Sequence, residues 1–225
     1  MKLIQPAAAP EKERRIPYTL PDGTRVPSVT TVIGRFKQAD PLIRWAVKET
    51  REGRNYEETR DKAASAGTLA HTFVECHICG RNRPDTSGYD PETVAKATRS
   101  FDAFMGWLNT IRADFIWTER RLVSQRYRVG GTPDAYGFIT GRRSLIDWKT
   151  SGAIYGDYLI QLAAYALMIE ESEGEAPEMH YICRFDKTTA DFSFYSYTDL
   201  SDAKRQFILY REAYDLDAKL RKQAK

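Results

Sequence analysis

Cysteine, histidine and long apolar runs are all scarce in this chain, which has 3 cysteines and 3 histidines in 225 residues. An odd cysteine count without paired spacing argues against a disulfide framework and for a reducing compartment. Cys76-His77-Ile78-Cys79 has the look of a metal knuckle, but a zinc site needs a second ligand pair and none is evident near Cys183. The three therefore read as free thiols, buried or semi-exposed. No apolar stretch approaches the roughly 20 residues needed to cross a bilayer, and no signal peptide is visible, so no membrane partner is expected. Internal repeats and low-complexity tracts are absent. So is a glycine-rich loop that cradles phosphates, which disfavours a hydrolase of small phosphorylated compounds. A strong charge of one sign is missing too: 34 basic against 31 acidic residues leave +3, which permits a nucleic-acid partner without arguing strongly for one.

What is present suits one enzyme domain. Hydrophobic residues make up 42% and charged residues 29%, ordinary for a folded protein with one good core. Residues 1–14, with Ala7-Ala8-Ala9-Pro10 and a charged run, are expected to be a disordered tail, and 15–225 a single domain. Tyr18 to Val26 reads as a hairpin around Pro21-Asp22-Gly23. Helices are expected from Ser28 to Arg35, from Pro41 to about Glu52, over 57–80 with a break near Gly67, and from Pro91 to about Arg112. The segment 81–90 reads as a loop. Strands follow at 114–124, 126–139 and 143–150, then a helix from Asp157 to Glu170, strands at 178–186 and 191–197, and a last helix from Ser201 to about Lys222. That order predicts an α/β fold: a central mixed β-sheet flanked by helices, with an N-terminal helical lobe over about 28–112 and a core over about 113–225.

The chemistry gathers on one predicted hairpin. Thr132 to Ile139 runs into the Thr140-Gly141 turn, and Ser144-Leu145-Ile146-Asp147-Trp148-Lys149 returns. Alternation puts Leu145, Asp147 and Lys149 on one face and Ile146 and Trp148 on the other. Asp147 and Lys149 are then about 7 Å apart along the strand, with Asp134 of Pro133-Asp134 in cross-strand reach. Asp147 lies in an apolar strand, and a buried acid needs a partner or a metal. Gly130-Gly131 predicts a bulge or a close backbone approach. In the Asp157 helix, apolar residues cover most of the circumference, and Gln161 and Tyr165 share a face. Lys149 and the strand end are the expected partners of Gln161.

Gly131-Thr132-Pro133-Asp134, then Leu145-Ile146-Asp147-Trp148-Lys149-Thr150-Ser151, then Gln161-x-x-x-Tyr165 resembles the RecB-like branch of the PD-(D/E)XK nucleases. Upstream, Gly67-Thr68-Leu69-Ala70-His71 is similar to that branch's first motif, and Pro27-Ser28-Val29-Thr30-Thr31-Val32-Ile33 resembles an opening found in its small stand-alone members. Those are phage exonucleases and the mitochondrial genome maintenance exonuclease. The motifs from Gly67 to Tyr165 keep the expected order but cover under half of the chain.

The resemblance implies a restriction-endonuclease-like core and a Mg²⁺- or Mn²⁺-dependent deoxyribonuclease, an exonuclease more readily than an endonuclease. It implies that His71, Asp134, Asp147 and the backbone carbonyl of Trp148 ligate the metal. Lys149 would orient the attacking water or stabilise negative charge at the phosphate. Gln161 would fix the site's geometry, and Tyr165 would line the DNA path or support the lysine. Glu119 resembles an acid that helps hold a second metal in some members, and a solvated strand glutamate is its alternative. Glu75, one turn beyond His71, has the same two readings. Some relatives hold an iron–sulfur cluster on four cysteines; three cysteines leave no such cluster expected here. The implied partners are DNA, single-stranded or with free ends, and a recombination or replication protein, in a phage or bacterial cytoplasm. A structure-specific endonuclease and a non-cleaving nucleic-acid-binding module are the alternatives. Trp117, Tyr127, Tyr136 and Trp148, interleaved with Arg120, Arg121, Arg126, Arg128, Arg142 and Arg143, would suit base stacking; core packing and solvated strand edges would explain them equally well.

Overall fold

The middle strand of the main sheet, β7 (Arg142–Thr150), is 9 residues long and buried from Ser144 to Trp148. The computed structural model describes residues 16–37, 40–151, 153–185 and 192–224; the tail expected over 1–14 lies outside them. The sheet runs β3-β6-β7-β8-β9, with β3 (Ala113–Thr118), β6 (Ala135–Ile139), β8 (Met179–Phe185) and β9 (Phe192–Tyr197). β7 and β8 are parallel and the other pairs antiparallel, so the sheet is mixed. The parallel pair needs a long crossover, and α5 (Gly156–Glu173) supplies it. Two small ladders flank the sheet: β1 (Tyr18–Thr19) with β2 (Arg25–Val26), and β4 (Leu122–Ser124) with β5 (Val129–Gly131).

Alternation along β7 sorts its side chains between two cores, as the pattern of the strand predicts. Leu145 packs with Val29, Val32 and Ile33 of α1 (Val29–Phe36), with α5, and with Phe207 of α6 (Ser201–Gln223). Ile146 and Trp148 face the other way, against Leu69 and Phe73 of α3 (Tyr56–Ile78) and Phe101, Phe104 and Trp107 of α4 (Pro91–Leu108). The helices that precede the sheet thus divide between its two faces. From Leu162 to Ile169 every residue of α5 is buried, in keeping with its apolar circumference. Between α1 and α3 lies α2 (Asp40–Arg51), which leaves Ile43 and Val47 exposed.

The caps follow local chemistry. Ser28 accepts the Thr31 amide at the start of α1, and Asp90 accepts that of Thr93 at 3.0 Å ahead of Pro91. Gly174, at φ 79°, closes α5 in the left-handed conformation.

Three expectations need correction, and of the two readings of Gly130-Gly131 close approach is the one found. Helix α3 is continuous through Gly67: a methyl group there would meet Thr150 Oγ1 at 2.4 Å, so the glycine admits the end of β7 rather than breaking the helix. Helix α4 stops at Leu108, where the Thr110 and Ile111 amides turn back to Trp107 and Leu108. The long strands expected over 114–124 and 126–139 are each split, the first at Glu119 (φ 47°) and the second at Pro133-Asp134. Proline has no amide for the ladder, and a left-handed non-glycine residue turns the chain out of it. Gly130-Gly131 forms no bulge, since β4 and β5 pair in regular register; the bulge falls in β3 between Phe115 and Trp117. The two glycines serve close approach instead. A methyl group at Gly130 would lie 2.0 Å from the Tyr18 ring, and one at Gly131 would lie 2.5 Å from Tyr165.

Candidate active site

The breaks in the strands and the glycine contact of α3 converge on the C-terminal end of β7. Asp134 enters just before β6, and its Oδ2 accepts the Trp148 amide at 2.6 Å. That bond ties the loop to β7 and fixes one acid beside it. The Glu119 amide donates to the Asp134 carbonyl at 2.9 Å. Its left-handed backbone, which costs about 1–2 kcal/mol, takes the chain off β3 at this point. From α3, His71 Nδ1 stands 4.0 Å from Asp134 Oδ2. Ligand atoms of His71, Glu119 and Asp134 all lie within 4.8 Å of one another, close enough to share one ion.

Asp147 sits behind this group with no exposed surface. Lys149 Nζ stands 2.5 Å from its Oδ2 as an ion contact, while neither carboxylate oxygen accepts a hydrogen bond of normal geometry. Lys149 also lies 5.1 Å from the centre of the Tyr158 ring. Gly67, Thr68, His71, Trp148, Lys149 and Tyr158 line a cavity of about 300 Å³, so His71 and Lys149 are the charged or ligating groups of the site that face it.

The electrostatics of the site are unbalanced. Burial pushes the Asp147 carboxyl up to about 6, against the pull of Lys149. Burial likewise raises Asp134, opposed by Lys149 and the Trp148 amide. Glu119 is raised by burial and then by Asp134, Glu75 and Asp147. Burial and the nearby Lys149 push His71 down to about 4, which leaves it neutral and able to donate a lone pair. Burial works against the Lys149 charge, but Asp147 and Asp134 outweigh it and raise its pKa. Three carboxyls and one lysine in a buried space carry excess negative charge, and a divalent cation is the direct physical remedy. The donors are carboxylate oxygens and one imidazole, a set suited to Mg²⁺ or Mn²⁺. His71, Glu119 and Asp134, gathered within 4.8 Å, fit such an ion.

Of the residues singled out from the sequence, His71, Asp134, Asp147, Trp148, Lys149 and Glu119 come together here. Glu75 is paired with Arg81. Gln161 donates to the Tyr165 hydroxyl at 3.1 Å, rather than to Lys149. Tyr165 is 4% exposed and packs on Gly131, so its position suits support of the site rather than an open path.

The interleaved aromatics and arginines do not form an open stacking surface. Tyr136 and Trp148 are buried, and Trp117 lies against Tyr136. Arg120 pairs with Glu173, Arg143 with Glu175 and Glu178, and Arg121 covers the Tyr18 ring. Besides the buried Trp148, Tyr158 lines the cavity, and Tyr155 packs edge-on against Tyr158. Sequence reasoning passed them over because Tyr158 fits the apolar circumference of α5. The adjacent Tyr155-Gly156, at the exposed start of that helix, was the available signal.

No family model matches the chain, and no curated protein matches it. Among solved structures, a candidate exonuclease from Eubacterium rectale matches at 15% identity and TM-score 0.47. That match covers 66% of this chain and 64% of the other, so the chain spans less than two thirds of that protein's length. An alkaline exonuclease from Laribacter hongkongensis matches at 12% identity and TM-score 0.37, over 71% of this chain and 92% of the other. Its complex with dAMP matches at 14% identity and TM-score 0.36, over 72% and 96%. Likenesses this distant carry no argument about activity.

Proposed function

We propose that the protein is a Mg²⁺- or Mn²⁺-dependent deoxyribonuclease that shortens DNA from an end or along a single strand. The observation that carries this reading is the Asp147–Lys149 pair beside Asp134, His71 and Glu119, with His71 and Lys149 lining a cavity. His71, Glu119 and Asp134 would hold the ion, with Asp147 and the Trp148 carbonyl as the further ligands that the family resemblance implies. When bound, the metal would supply Lewis-acid charge at the phosphate and lower the pKa of the attacking water.

The chain's own residues do the rest. Lys149 stays protonated beside two acids, so it donates hydrogen bonds and positive charge and does not act as the base. It supports the phosphate oxygens as negative charge develops on them. The Trp148 amide holds Asp134 in place. Tyr165, which accepts from Gln161, packs α5 against Gly131.

The test is a time course on 5′- and 3′-end-labelled single- and double-stranded DNA with Mg²⁺, Mn²⁺ or EDTA. Metal-dependent shortening from one end is expected, falling by roughly 10²-fold or more in Lys149→Ala. Internal cuts would favour the endonuclease alternative. Binding without cleavage under every metal condition would replace this reading with a recognition module.

A further inference from the structure

We infer that Tyr155 and Tyr158 form a stacking subsite for an unpaired base next to the reacting phosphate, and that this subsite selects single-stranded ends. The inference rests on the nuclease reading and deepens it.

Two aromatic rings lie between two cationic groups outward from the site. Lys149 stands 5.1 Å from the centre of the Tyr158 ring, which lines the cavity with His71 and Trp148. Tyr155 meets Tyr158 edge to face at 84°, with centres 5.4 Å apart. Lys37 Nζ lies 6.0 Å from the centre of the Tyr155 ring and 2.8 Å from Asp157 Oδ2.

Tyr155 is half-exposed, at 50%, in a position where core packing does not account for it. Tyr158 meets its ring from one side and leaves the rest of it open. An open aromatic face can take a stacked base, and every nucleobase has a face to offer. Lys149 and Lys37 place positive charge at the inner and outer ends of the aromatic pair, where a strand's phosphates would lie. Asp157 offsets part of the outer charge, which leaves stacking rather than charge as the main attraction. In a duplex each base is already stacked and paired, so the ring would have to compete with that. The pair therefore discriminates for a single strand.

Binding of a labelled dT12 strand, of an abasic strand of equal length and of a 12-base-pair duplex would be followed by anisotropy in EDTA. Tyr155→Ala should bind dT12 about ten-fold more weakly. Tyr155→Phe should bind normally, and duplex affinity should not change. Wild-type protein should hold the abasic strand as weakly as Tyr155→Ala holds dT12. In Mg²⁺, Tyr155→Ala should raise KM for the single strand more than it lowers kcat. Unchanged dT12 affinity in Tyr155→Ala, in a protein that still cleaves DNA, would overturn this inference and leave the nuclease reading standing. Wild-type protein that neither binds nor cleaves DNA would overturn both.

Discussion

At the scale of single residues, His71 separates a binding role from a packing role most cleanly. It lies on a helix whose neighbouring positions, Leu69, Ala70, Phe73 and Val74, are all core. Yet its own ring opens to the cavity and reaches toward Asp134. His71→Ala should therefore weaken Mn²⁺ binding by ten-fold or more in a calorimetric titration, with little change in Tm measured in EDTA. Loss of several degrees of Tm with metal affinity intact would make it a core residue instead. Asp147 is the complementary case. Its burial and its lysine partner make it the residue whose removal most alters the charge balance of the site, and Asp147→Ala should abolish cleavage while DNA binding persists without metal. Full activity in Asp147→Ala would displace the site from this end of β7.

At the scale of elements, the decisive contact is between α3 and the end of β7. Gly67 brings the helix against Thr150, which places His71, one turn later, over the strand end. Alanine is a better helix former than glycine by about 1 kcal/mol, so on propensity alone Gly67→Ala should stabilise α3. The 2.4 Å approach to Thr150 Oγ1 opposes this, and of the three staggered χ1 rotamers only the one that turns the β-hydrogen toward the helix would relieve it. Gly67→Ala should lower both Tm and activity. Adding Thr150→Ala should restore Tm to at least the starting value, a non-additive pair that a double-mutant cycle measures. Simple additivity of the two changes would mean that they do not meet. The other elements do what their patterns indicate: β7 alternates between two cores, and α5 is buried all round as a crossover between parallel strands.

At the scale of the whole molecule, the site is a local concentration of like charge inside a stable frame. Phe104, Trp107 and Trp148 form an aromatic cluster directly beneath it, with Phe104 and Trp148 edge to face at 77°. Burying acids costs free energy, and the apolar burial in the two cores on either side of the sheet offsets it. A bound cation should then stabilise the entire fold. At a concentration 100 times Kd the gain is about 2.7 kcal/mol, or roughly 5–10 °C in Tm for a chain of this size. Thermal melts with Mn²⁺ against EDTA should show that shift in the wild type and not in Asp134→Ala. An equal shift in both would place the ion elsewhere. Among the described residues, no helix is long and apolar enough to cross a membrane.

Much of this was readable from the chain alone. Strand alternation is a property of neighbours along the backbone, so the shared face of Asp147 and Lys149, the hairpin through Thr140-Gly141 and the nearness of Asp134 follow from it, and all are found. The capped start of α1 and the buried α5 follow from side-chain type in the same way. Other features depend on what packs across the fold. Glu119 joins the site only because its left-handed turn is held by the Asp134 carbonyl, a contact between residues distant in sequence. Gly67 reads as a helix breaker until the strand it admits is known. Trp148 and Tyr136 look as available for stacking as Tyr155 does, since composition does not distinguish a buried aromatic ring from an exposed one. The sequence by itself determined which groups could do chemistry and which way the strand turns them. Only the tertiary structure decided which are buried together, with one lysine among three carboxyls, because burial is set by the elements on the far side of each contact.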